Sequence, residues 1–238
     1  MNVKRASVFA GTVGALVLGS YATAGFQEMA WHQVDNSSGP QGGNTYRIYA
    51  LMDADNRLDA IAGNSSQNLS LSGNGGFVQI AQGGPTSLSI NSGFFQFVPE
   101  LEWDSYVTIG ALHADGFPYG NNALTDVGID WTDFEAGNEL MTDNGTWFVT
   151  PDQEQGGGLV HSNLQGENGY IGDGYGTLIA QVTTNGDGGY FSGLVQGKDE
   201  NGVTWQANVN DFAYGIPAPG ALALLGLAGI AGRRRRRA

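Results

Sequence analysis

Val203-Thr204-Trp205-Gln206-Ala207-Asn208-Val209-Asn210 alternates apolar and polar side chains throughout its length. Successive side chains leave opposite faces of an extended chain, so this period of two describes a strand with one buried and one wet face. Upstream, Lys198-Asp199-Glu200-Asn201-Gly202 has the residues of a turn leading into that strand. Residues 177–184 and 190–196 are two further β-rich runs, and Asn185-Gly186-Asp187-Gly188-Gly189 between them has hairpin-turn chemistry. Thr45-Tyr46-Arg47-Ile48-Tyr49-Ala50-Leu51-Met52 is apolar on both faces, as a central strand is. Asp104-Ser105-Tyr106-Val107-Thr108-Ile109 reads as a strand, and so do residues 76–81, 94–98, 127–131 and 146–150. Helical periodicity is nearly absent. The expected fold is all-β, an antiparallel β-sandwich or jelly roll of about ten strands over residues 25–216.

Charge is distributed unevenly over the 238 residues. All 23 acidic residues lie between Glu28 and Asp211, and that stretch holds only Arg47, Arg57 and Lys198, giving it a formal charge of −20. Such a body repels nucleic acid and anionic membrane surfaces, which excludes both as partners. There is no cysteine, so disulfides, thiolate metal sites and Cys nucleophiles are excluded. The 39 glycines suit tight turns.

The remaining basic residues sit at the two ends. Lys4 and Arg5 precede an uncharged run over residues 6–19, and Ala22-Thr23-Ala24 places small residues where a signal peptidase reads. Residues 1–24 therefore read as a signal peptide, a helix cleaved between Ala24 and Gly25. At the other end come Ile216-Pro217-Ala218-Pro219, an apolar run over residues 220–232, and Arg233-Arg234-Arg235-Arg236-Arg237. The run is short for a permanent span, and arginine clusters stay on the cytoplasmic side. This order over residues 217–238 resembles the PEP-CTERM sorting signal of Gram-negative bacteria, also described as the ice-binding-protein C-terminal domain. Ala218 stands where that family usually has Glu. The resemblance implies an apolar sorting helix, transient or lasting attachment to the inner membrane, and an exosortase-type processing enzyme that passes the body to the cell surface. Tyr46-Arg47-Ile48-Tyr49-Ala50, Asp53-Ala54-Asp55-Asn56-Arg57-Leu58 and Asp104-Ser105-Tyr106-Val107-Thr108-Ile109-Gly110 are similar to segments of Gly-rich secreted β-proteins of marine bacteria.

Chemistry-bearing residues are few. Asp53, Asp55, Asn56 and Asp59 pack oxygen ligands into one turn, which is what calcium takes. Arg57 and Leu58 stand where an EF-hand loop needs Asp or Asn and Gly, so the competing reading is an Asx-rich turn. Glu100, Glu102 and Asp104 alternate as on one strand face, and Asp130, Asp133 and Glu135 cluster, but an acidic chain produces such spacings without glycosidase chemistry. His32, His113 and His161 lack zinc spacing, and His113-Ala114-Asp115 lacks a nucleophile elbow. Gly156-Gly157-Gly158 and Gly172-Asp173-Gly174-Tyr175-Gly176 read as turns or edge loops, not phosphate cradles. Trp31, Trp103, Trp131, Trp147 and Trp205 are core candidates first and a sugar-stacking platform second.

The sequence thus points to an exported, non-enzymatic surface or matrix protein, structural or adhesive, with no catalytic residue and no cofactor beyond calcium. The alternative is a carbohydrate-binding module that uses calcium and meets extracellular polysaccharide. A polysaccharide-active enzyme ranks third. Exposed aromatics around a groove favour sugar binding, and two facing carboxylates favour an enzyme.

Overall fold

The computed structural model describes residues 25–37, 39, 42–167 and 171–216. Along the chain the strands are β1 (Phe26–Val34), β2 (Asn44–Met52), β3 (Arg57–Ala62), β4 (Leu69–Gly73), β5 (Tyr106–Val107), β6 (Thr125–Val127), β7 (Leu140–Thr142), β8 (Thr146–Phe148), β9 (Leu159–Gly166), β10 (Ile171–Thr184), β11 (Gly189–Lys198) and β12 (Thr204–Tyr214). The one α-helix among the described residues is α1 (Thr132–Glu135). The fold is all-β, and the strand pairings are antiparallel.

β1, β2, β5, β9 and β10 form one sheet, and the other strands form the second. Tyr46, Ile48, Ala50, Met52 and Val182 of the first share a core with Leu58, Leu71, Phe191, Val195 and Phe212 of the second. β2 lies between β1 and β10, as its two apolar faces require. Its even-numbered residues enter the shared core, whereas Tyr49 and Leu51 point the other way into a second, smaller core with Ala30, Leu164 and Leu178. That second core exists because β9 pairs both β10 and the middle of β1, curling over the outer face of the first sheet. The curl needs glycine: a Cβ on Gly176 would stand 2.7 Å from the Ala50 carbonyl oxygen. Gly172, Gly174 and Gly176 are therefore strand residues of β10, not a turn, because missing side chains let two layers of backbone approach.

Several expectations change in three dimensions. Residues 185–188 do not close a hairpin, since β10 and β11 belong to different sheets. The Gly186 amide donates to the Asn74 carbonyl and the Asn74 amide to the Gly188 carbonyl, so the turn is stitched to the one after β4. Gly188 has φ 60°, and a Cβ there would overlap the Tyr214 carbonyl oxygen. The turn after β11 does close a hairpin, with Lys198 opposite Thr204 and the Asp199 carboxylate accepting the amides of Asn201 and Val203. Residues 76–81 make only an isolated bridge at Phe77, and residues 94–98 are helical turns without a ladder partner. In the long excursion between β4 and β6, Pro99 opens a 3-10 helix (Pro99–Trp103), which removes Glu100 and Glu102 from any strand. Three residues per turn then put Glu100, Glu102 and Asp104 on different faces.

Candidate functional site

The outer face of β2 and β10, flanked by β9 and the excursion, holds a cleft of about 280 Å³. Its polar wall is Arg47, Tyr49 and His161, with Leu112 and Leu178 among its apolar lining. Phe117, Pro118, Leu159 and Val160 form the rim. Phe117 is 57% exposed and Val160 70%, so the rim presents apolar surface to water. The Tyr49 and His161 rings pack 4.3 Å apart between centroids. His161 Nε2 lies 3.2 Å from the Gly176 carbonyl oxygen, which makes that nitrogen the protonated one. Burial lowers the His161 pKa, the Gly176 bond opposes that shift, and nearby Arg47 and His32 add to it. The ring is therefore neutral at pH 7.

Arg47 is held from both neighbouring strands. It stands opposite His32 of β1 and Gln181 of β10. Its Nε donates to Gln181 Oε1 at 3.0 Å, while Gln181 Nε2 donates at 2.9 Å to the Glu102 carbonyl. The buried Gln181 amide is thus oriented from behind and holds the guanidinium by one edge. Burial raises the Tyr49 pKa and the neighbouring Arg47 guanidinium lowers it. Among the described residues no carboxylate lies within ion-pair distance of Arg47.

The residues singled out for calcium lie otherwise. Asp53 accepts Gln27 Nε2 at 2.7 Å, and Asp59 is paired with Arg57. Asn56 Nδ2 donates to the carbonyls of Asp53 and Ala54, and its buried Oδ1 has no partner. Asp55 is exposed with φ 64°, as an Asx-rich turn demands. No group of three or more His, Asp or Glu residues suited to a metal ion occurs among the described residues.

Asp104, expected on one strand face with Glu100 and Glu102, is fully buried. It accepts the amides of Ile80, Ser105 and Gly84, clasping the start of the excursion. Burial raises its pKa to about 7 against the pull of those three amides. Asp130, two residues before α1, accepts the Thr132 amide and hydroxyl. Asp115 stands between Ser92, which donates to it at 2.7 Å, and His113 at 3.9 Å. A nucleophile relay needs the histidine in the middle, so this is not one. Trp31, Trp103, Trp147 and Trp205 are buried and Trp131 packs against the core, so among the described residues the exposed aromatics are Phe94, Phe97, Phe117 and Tyr190.

Gly25 begins the described body. Its carbonyl accepts the Asp53 amide, and a Cβ there would overlap the Trp205 indole. Ile216 is the last described residue. Ala22, Ala24, Pro217, Ala218, Pro219 and Arg233 to Arg237 lie outside the described residues. Among the described residues no helix is long and apolar enough to cross a membrane. No family model matches the chain, and no curated protein or solved structure is significantly similar to it.

Proposed function

We propose that the chain is an exported, surface-displayed binding protein whose two-sheet body, read as a β-sandwich, takes a carbohydrate in the Arg47–Tyr49–His161 cleft. The observation that carries this reading is the cleft's chemistry. Apolar and aromatic groups form its rim, a few oriented polar groups converge on its wall, and no carboxylate lines it. Sugar rings offer C–H faces to apolar side chains and hydroxyls to oriented donors, which suits such a lining. Glycoside hydrolysis would need two carboxylates in the cleft, so binding fits it better than cleavage. The leader-like N-terminus and the tail resembling a PEP-CTERM signal support an address at the cell surface or in the extracellular matrix. They imply signal peptidase and an exosortase-type enzyme as processing partners. A purely structural or adhesive role without a glycan is the reading that a failed test would favour.

The test is a glycan-array screen of the purified full-length chain, followed by titration of the best oligosaccharide. Binding should weaken at least tenfold in Phe117→Ser and in Val160→Ser while the melting temperature stays unchanged. No binding to any glycan, or binding indifferent to both substitutions, overturns the reading.

A further inference from the structure

We propose that the ligand of this cleft carries a compact oxyanion, a carboxylate or a sulfate ester on a sugar ring, and that Arg47 is the residue that reads it. The inference rests on the carbohydrate reading above and narrows it to acidic glycans.

The body holds only three cations among 23 carboxylates, and two of them, Arg47 and Lys198, have no carboxylate within ion-pair distance among the described residues; of these two only Arg47 lines the cleft. Arg57 binds Asp59 and the carbonyls of Thr150 and Gln153. Arg47 is half-buried, and its side-chain partners are both neutral: Nε donates to the Gln181 amide oxygen, and the guanidinium also hydrogen-bonds the Tyr49 phenol. A guanidinium fixed through Nε still has two terminal NH₂ groups, a fork that matches two oxygens of one anion. None of the groups around it supplies a counter-charge. His161 and His32 both have pKa values lowered first by burial, and Tyr49 is an uncharged phenol at pH 7. A ligand seated against Phe117, Leu159 and Val160 displaces water from that side, which strengthens a charge-assisted hydrogen bond. A neutral sugar would leave the guanidinium without a counter-charge, whereas a uronate or sulfated sugar supplies it and keeps an apolar face for the rim. The strongly acidic body opposes polyanions at long range, so this selectivity comes from contact and not from steering.

Calorimetric titration of the purified full-length chain decides it, with three oligomers of equal length as probes: a galacturonate oligomer, a sulfated galactose oligomer and a neutral galactose oligomer. One of the two acidic oligomers should bind at least tenfold tighter than the neutral one, and which one distinguishes carboxylate from sulfate. Arg47→Met should abolish that preference and Arg47→Lys should keep part of it, with each variant's fold checked by its melting temperature. Gln181→Leu, which releases the guanidinium without removing it, should also reduce the preference. Equal affinity for acidic and neutral oligomers, or a preference that persists in Arg47→Met, overturns the inference. If binding of all three still depends on Phe117, the carbohydrate reading survives that failure. Binding to none of them, nor to any glycan on the array, removes both.

Discussion

Arg57 and Arg47 are both strand arginines in a body poor in cations, and they are bonded in different ways. Arg57 opens β3, and its guanidinium is shared among a carboxylate and two backbone carbonyls from the segment after β8. Arg47 lies mid-strand in β2, tied to one amide and one phenol, both neutral, and open to a cleft. The first arrangement is complete without a ligand. The second leaves charge and donors facing a cavity in a chain where carboxylates are abundant. The difference teaches that residue type says little here. The bonds already made inside the fold separate a structural arginine from one available for recognition.

Arg57→Met tests the structural half and has the largest expected effect. Asp59 would remain buried without its cation, so unfolding free energy should fall by roughly 4 kcal/mol in chemical denaturation, in the range for breaking a buried pair. A loss below about 1 kcal/mol would mean that the pair behaves like a surface pair, and the contrast with Arg47 would fail.

The next effect concerns Asp104, whose carbonyl lies 3.4 Å from the Gln181 amide that orients Arg47. Its folded pKa of about 7 exceeds the ordinary 3.8. Between those values the folded state holds a proton that the unfolded state has released. The stabilisation is therefore full below about pH 4 and is lost as pH rises through 7, by roughly 4 kcal/mol. Asp104→Asn should flatten that part of the stability–pH curve. An unchanged slope in the variant would place the titrating group elsewhere.

Gln181→Leu sharpens the comparison from the other side. It removes the tether and leaves the Glu102 carbonyl without its donor. A loss of roughly 1 to 2 kcal/mol is expected, far smaller than for Arg57→Met. Arg47→Met itself should cost roughly 1 kcal/mol, since the aliphatic stem is kept and no carboxylate is orphaned, but the buried Gln181 Oε1 loses its donor. A larger loss would make Arg47 a structural residue too.

The smallest effect is expected from calcium. Asp53 and Asp59 would have to leave Gln27 and Arg57 to bind it. Millimolar calcium at matched ionic strength should shift the melting temperature by less than about 1 °C, since only binding to the folded state would raise it. A larger rise that disappears in Asp55→Ala would put an ion at that turn.

Much of the β character was legible in local pattern. The alternation of residues 203–210 reappears in β12, where Trp205 and Val209 are buried and Gln206 and Asn208 exposed. That strand continues to Tyr214 because an extra residue near Asp211 resets the phase, putting Phe212 and Tyr214 back on the buried side. A period-two search stops at that bulge. Val203, read as a core residue, lies in the turn and is 62% exposed. Leu69-Ser70-Leu71-Ser72 has the same alternation as β12 and forms β4, so its signal was present though short. β1 and β9 were harder to see, because polar residues interrupt both and their partners are far away in sequence.

The sequence by itself determined what depends on near neighbours and on composition: extended segments, glycine turns, the acidic excess, the absence of thiol chemistry, and two ends that read as addresses. Tertiary structure decided which sheet each strand joins, that residues 185–188 change sheets, and that Asp104 is buried. It also decided that Arg47, Tyr49 and His161 share a cleft, although His161 is more than a hundred residues from the other two in sequence. The physical reason is that a strand's partners are set by long-range ladder bonds and by the burial of both faces. A residue's bonding is complete or incomplete only once those partners have arrived.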